Sequence, residues 1–136
     1  MRIFLDANVL FLAAKTDGAV RALVDLLVDG GHECWVDDYV VTEARRNLGA
    51  KGREAMAAFE ALLPYLKSGS MTRPLPNPEL LDWLPEKDRP VLATAMRLQC
   101  DALVTADRTH FGSAYGKVFG GATIHSPRSM ADVLLR

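Results

Sequence analysis

The chain is poor in cysteine. Cys34 and Cys100 stand alone, with no CxxC pair. That excludes a disulfide framework, and both thiols read as reduced and buried, as in a cytoplasmic protein; one disulfide is the alternative. An excess of either charge is also lacking: 16 Lys and Arg face 17 Asp and Glu, for a net charge of −1. A polybasic coat is excluded, so any contact with nucleic acid must rest on a local basic patch or on a metal. No apolar run is long enough to cross a bilayer. Asp6 falls inside what would be the apolar region of a signal peptide, which argues against one. His32, His110 and His125 lack any Cys/His spacing of a zinc site; His110 is kept as a rim residue only. There is no internal repeat and no low-complexity tract.

What is present is ordinary for a globular protein: 136 residues, 49% apolar and 24% charged. This suits one domain over residues 1–136 with its own core. Arg2–Leu5 reads as a strand. VRALVDLLV (20–28) has helical spacing and stops at Gly30-Gly31. ECWV (33–36) is a second strand. Asp37-Asp38 can cap a helix carrying Val40, Val41, Ala44 and Leu48. Residues 53–66 place Met56, Phe59, Leu62, Leu63 and Leu66 on one helical stripe. Residues 68–78 read as loop, with a short strand at 71–73 as an option. A helix over 86–99, a strand over 102–105, a turn or short helix over 109–115, a strand over 122–125 and a helix over 127–135 complete the chain. Strands alternating with helices predict an α/β fold, a mostly parallel sheet of four to five strands covered on both faces.

In such a sheet ligands bind outside the carboxyl ends of the strands. Asp6 ends the first strand, within IFLDANVLF. Asp107 lies just past the strand ALVT. Glu43 follows the second strand, and Asp88 begins the helix that leads into ALVT. Each has a plainer reading: Asp6 and Asp107 as turn residues, Asp88 as an N-cap before Pro90, Glu43 as a solvated helix charge. Together they can reach one rim. Four carboxylates there would repel and raise one another's pKa values unless a cation screened them. An oxygen-rich acidic site suits Mg²⁺ or Mn²⁺, which can activate water and stabilise charge on a phosphoryl oxygen. Asn8 and Thr105 are placed to orient the carboxylates by hydrogen bonding.

At these residues the sequence resembles the PIN-domain ribonucleases, and within them the VapC-like toxins of toxin–antitoxin pairs. The matching stretches are IFLDANVL, VVTEARRNL, KDRPVLATAMRL and DALVTADRTHFG. Each hinges on one acid; four in this order are far more specific. The resemblance spans nearly the whole chain. It implies a three-layer α/β/α PIN-like fold, Asp6, Glu43, Asp88 and Asp107 as ligands of Mg²⁺ or Mn²⁺, cleavage of RNA, a cognate antitoxin and a homodimer. The chain departs from the pattern at Ala106, where many relatives are polar, and at Pro90.

For the RNA, Arg108, Arg89 and Lys87 lie nearest the acids in sequence, and Arg45 heads the group Arg45, Arg46, Lys51 and Arg53. They are candidates for phosphate contact, with a solvated, salt-bridged helix face as the alternative. Trp35 and Trp83 read as packing residues, while Trp35, Tyr39 and Tyr65 offer apolar surface for a dimer. Other function classes fit less well. A receiver-type signalling domain needs a phosphoacceptor Asp ending a mid-chain strand, and residues 57–85 offer none. A phosphatase with a nucleophilic Asp usually shows a second Asp two positions on, and position 8 is Asn. A non-catalytic nucleic-acid- or protein-binding domain on the same fold remains the alternative to the ribonuclease.

Overall fold

The computed structural model describes residues 1–70 and 73–136. The expected strand at 71–73 therefore falls largely outside the described residues. The strands are β1 (Arg2–Leu5), β2 (Glu33–Val36), β3 (Lys67–Ser68), β4 (Ala102–Val104), β5 (Val118–Phe119) and β6 (Ala122–His125). The helices are α1 (Ala7–Lys15), α2 (Ala19–Asp29), α3 (Asp38–Leu48), α4 (Arg53–Leu62), α5 (Arg89–Arg97), α6 (Arg108–Phe111) and α7 (Pro127–Leu134). The spatial order of the sheet is β3-β2-β1-β4-β6-β5. All pairings are parallel except β5 with β6. The architecture is three-layered α/β/α, as expected.

Among the described residues the sheet has six strands rather than four to five. The difference is β3 and β5, two residues each, which are too short to show a period in sequence. β5 has a turn signal nonetheless. Gly120 and Gly121 join it to β6, both at positive φ (55° and 87°), as a tight two-residue hairpin requires.

The centre of the sheet is fully apolar because both faces are covered. Ile3, Phe4 and Leu5 of β1 and Ala102, Leu103 and Val104 of β4 are all buried. β1 and β4 are neighbours, in the register Ile3–Ala102, Phe4–Leu103, Leu5–Val104. From β1 the chain runs outward to β2 and β3 on one side, then crosses to β4 on the other. β1 and β4 thus flank the switch point, where a crevice opens at their carboxyl ends.

The helix α1 was not anticipated. ANVLFLAA carries apolar residues on almost every position, which hides a helical stripe. The helix buries Ala7, Val9, Leu10, Ala13 and Ala14 and packs against α2, α3 and α4. The expected helix over 53–66 ends as α at Leu62 and tightens into a 3₁₀ turn, Leu63–Tyr65, around Pro64. The expected helix over 86–99 starts three residues later, at Arg89, with Pro90 in its first turn, where a missing N–H costs nothing. Cys34 and Cys100 are buried free thiols. Among the described residues no helix is long and apolar enough to cross a membrane.

Candidate metal centre

The strand ends dictate where the acids stand. Leu5 finishes β1, and Asp6 N donates to Val104 O at 3.0 Å, extending the β1–β4 ladder by one bond. Asp6 is also the N-cap of α1, where the helix dipole and the Ala7 N–H (2.7 Å to Oδ1) favour a negative charge. Its other oxygen, Oδ2, accepts from the Thr105 hydroxyl at 2.8 Å and from Asn8 Nδ2 at 3.3 Å. Asp6 is only 5% exposed. Burial pushes its carboxyl up to about 6; the Thr105 hydroxyl and the Ala7 N–H oppose the shift, and the charges of Glu43 and Asp88 add to it.

Thr105 is the hub beneath the acids. Fully buried, it donates to Asp6 and accepts from Asn8 Nδ2 (3.3 Å) and Asp107 N (3.2 Å). Asn8 Oδ1 in turn accepts from Ala106 N at 2.8 Å. At position 106, where the chain departs from the family pattern, the backbone N–H joins the network. Asn8 and Thr105 thus both hydrogen-bond to Asp6 and to each other.

Asp107 is the N-cap of α6. Its Oδ1 accepts from His110 N at 3.1 Å and its Oδ2 from His110 Nδ1 at 2.7 Å. Asp88 occupies the N-cap position of α5, yet its side chain makes no cap hydrogen bond. The cap reading of Asp88 therefore fails: the carboxylate is turned elsewhere. Lys87 Nζ lies 3.7 Å from Asp88 Oδ1. Asp88 Oδ2 is buried and has no hydrogen-bond partner among the described residues. His110 Nδ1 is 3.1 Å from it, farther than from Asp107 Oδ2.

Glu43 projects from the middle of α3. It lines a groove of about 530 Å³ with Asp38, Tyr39, Thr42, Arg46 and Lys87. Its charge reaches both Asp6 and Tyr39; in each the larger cause of the raised pKa is burial. Tyr39 donates its hydroxyl to Lys87 O, tying α3 to the segment before Asp88.

The basic candidates divide. Lys87 lies beside Asp88 and lines the groove. Arg108 is exposed and faces a cavity with Tyr115 and Ser126. Arg45 is not brought to the acids: it pairs with Glu60 of α4 at 3.0 Å and lies over the Phe59 ring. Arg89 is held by main-chain carbonyls, donating to Leu84 O at 2.9 Å and Asp82 O at 3.4 Å, so it braces the loop before α5. Arg46, next to Arg45 in its basic group, stands one helical turn from Glu43 and lines the same groove. His110 was expected only at the rim. The structure places it between Asp88 and Asp107, and its spacing of three from Asp107 on a helical turn was the available signal.

Asp88, Asp107 and His110 each offer a ligand atom within 4.8 Å of one another, a group able to hold a metal ion. The donor set is anionic oxygen plus imidazole nitrogen. The orphaned Asp88 oxygen fits a cation as its missing partner, because a buried carboxylate oxygen without one is costly.

Comparison with known proteins agrees with this architecture. Solved structures share the fold, among them two toxin–antitoxin complexes. One is VapBC2 from Rickettsia felis bound to a DNA fragment from its promoter: TM-score 0.65, 13% identity, 93% of this chain and 98% of that chain covered. The other is FitAB bound to an IR36 DNA fragment: TM-score 0.60, 17% identity, 92% and 94% covered. No curated protein matches the sequence. A PIN-domain family model matches residues 2–109, which contain all four acids and both β1 and β4. With that match over most of its length, the chain belongs to the PIN-domain family.

Proposed function

We propose that this protein is a divalent-metal-dependent endoribonuclease, the toxin of a toxin–antitoxin pair. The observation that carries the reading is the buried, unpartnered Asp88 Oδ2 at the crevice between β1 and β4, facing Asp107 and close enough to Asp6 for their charges to interact. Asp6, Asp88 and Asp107 would hold Mg²⁺ or Mn²⁺, with Glu43 at the groove edge. When bound, the ion supplies an activated water and charge stabilisation at a phosphoryl oxygen.

The rest is done by the chain itself. Thr105 and Asn8 fix the Asp6 carboxylate, so that it does not rotate to meet an incoming charge. Lys87 and Arg46 offset the repulsion between the acids and an RNA backbone in the groove lined by Glu43, and Arg108, which directly follows Asp107, adds a third charge. Their small number agrees with the net charge of −1: the substrate is held at one patch, not along the whole surface. A cognate antitoxin is supported by the VapBC2 and FitAB neighbours. A homodimer belongs to the same reading, with exposed Tyr39 and Tyr65 as apolar surface.

The test is cleavage of single-stranded RNA by purified protein with Mn²⁺, with Mg²⁺ and with EDTA. Cleavage that needs the ion and is lost in Asp6→Asn and Asp88→Asn supports the reading. Metal-dependent binding without cleavage would instead favour a non-catalytic domain.

A further inference from the structure

We infer that His110 is a nitrogen ligand of the ion proposed above, making the site a mixed carboxylate–imidazole centre that favours Ni²⁺ and Mn²⁺ over Mg²⁺. The inference rests on the metal-dependent reading and goes further by assigning a second kind of donor. His110 Nδ1 lies 2.7 Å from Asp107 Oδ2 and 3.1 Å from Asp88 Oδ2. Two ligands at adjacent corners of an octahedral ion, each ~2.1 Å from it, are ~3.0 Å apart. Both separations therefore suit neighbouring positions in one coordination sphere.

The simpler role for the ring is a hydrogen-bonded bridge between two carboxylates. A bridge would satisfy both, and it does not: Asp88 Oδ2 stays buried and unpartnered although Nδ1 is close by. One N–H cannot point at two acceptors with good geometry. A metal ion can be shared by both oxygens and Nδ1 at once, with the ring hydrogen moved to Nε2. The ring is also held in place. The backbone of His110 is capped by Asp107 Oδ1, and the next residue, Phe111, is wholly buried in a T-shaped contact with Trp83. Imidazole raises affinity for later first-row ions far more than for Mg²⁺, which prefers oxygen.

The test is calorimetric titration of the full chain with Ni²⁺, Mn²⁺ and Mg²⁺, comparing wild type with His110→Asn. Both are made in a His32→Gln background, because His32 Nδ1 and the terminal amine, 2.9 Å apart, could bind Ni²⁺ themselves. The expected result is a loss of at least about tenfold for Ni²⁺, a smaller loss for Mn²⁺ and a change under about threefold for Mg²⁺. Equal losses for all three ions, or none, would overturn the assignment of His110 while leaving a carboxylate site intact. No binding of any ion by the wild type would overturn both readings. Wild-type NMR gives a readout independent of any variant: Zn²⁺ should shift the His110 Nδ1 resonance as coordinated nitrogen, and an Nδ1 resonance that stays that of an N–H would count against ligation.

Discussion

Replacing Asp6 by Asn removes a buried negative charge without changing the shape of the side chain, and its effect on stability should reverse with pH. The folded carboxyl sits at about 6 against an ordinary value of 3.8. At about 1.4 kcal/mol per tenfold, that difference amounts to roughly 3 kcal/mol. Below about pH 4 the folded and unfolded chains both carry the proton and the penalty is absent. Between about 4 and 6 the folded state keeps a proton that the unfolded state has released, so raising the pH lowers stability. Above about 6 the whole penalty is present in the metal-free protein. The variant escapes it. The amide oxygen still accepts from Ala7 N, but the amide nitrogen meets a Thr105 oxygen that already accepts from Asn8 and Asp107 N. Losing the Thr105 bond costs about 1 kcal/mol. In EDTA at pH 7.5 Asp6→Asn should therefore be more stable by about 2 kcal/mol, or roughly 6–10 °C in Tm for a domain of this size. At pH 4 it should be less stable by about 1 kcal/mol. Thermal melts of both proteins across pH 4–8 decide the matter. A difference that does not vary with pH, or a variant that melts lower at pH 7.5, would refute the argument that burial of the ionised form sets the cost.

The same substitution should abolish metal-dependent RNA cleavage with an unchanged circular dichroism spectrum, as should Asp88→Asn; a wild-type rate in either would remove that residue from the site. Mn²⁺ at a hundredfold excess over its Kd should stabilise the wild type by about 2.7 kcal/mol, seen as a rise of several degrees in Tm that EDTA reverses. Thr105→Val should destabilise the fold by about 2 kcal/mol in a denaturant titration, because it leaves Asp6 Oδ2 short of its closest donor in a buried site. Cys34 and Cys100, whose thiols burial pushes up to about 11 and about 12, should resist a thiol reagent in the native protein and react only on unfolding. Sedimentation at micromolar concentration should give the mass of two chains; a mass of one would count against the dimer.

Much of this protein can be read from local pattern alone. The strands at 2–5 and 33–36 are set by short apolar runs, and the helices near 20–28 and 38–48 by 3.6-residue periodicity with caps and glycine stops. Asp6, Asp88 and Asp107 stand out as candidates for a related reason. Each follows a buried strand or heads the helix leading into one, and packing brings Asp88 and Asp107 within reach of one another. α1 was not legible, because a segment apolar on every side has no period to reveal it. Neither were β3 and β5, whose two residues each become strands only through the neighbour they pair with.

Tertiary structure alone decided which side chains meet. Arg45 and Arg46 are adjacent in sequence, but the turn of α3 sends one to Glu60 and the other to the groove with Glu43. Arg89 follows Asp88 directly, yet the carbonyls of Leu84 and Asp82 take its guanidinium. His110 and Asp88 are 22 positions apart, and only the packing of α6 beside the start of α5 puts a nitrogen 3.1 Å from a carboxylate oxygen. Periodicity and caps are properties of neighbours along the chain, so sequence displays them. The direction of a long basic side chain, or the absence of a partner for one buried oxygen, depends on elements far apart in sequence and exists only once they have packed.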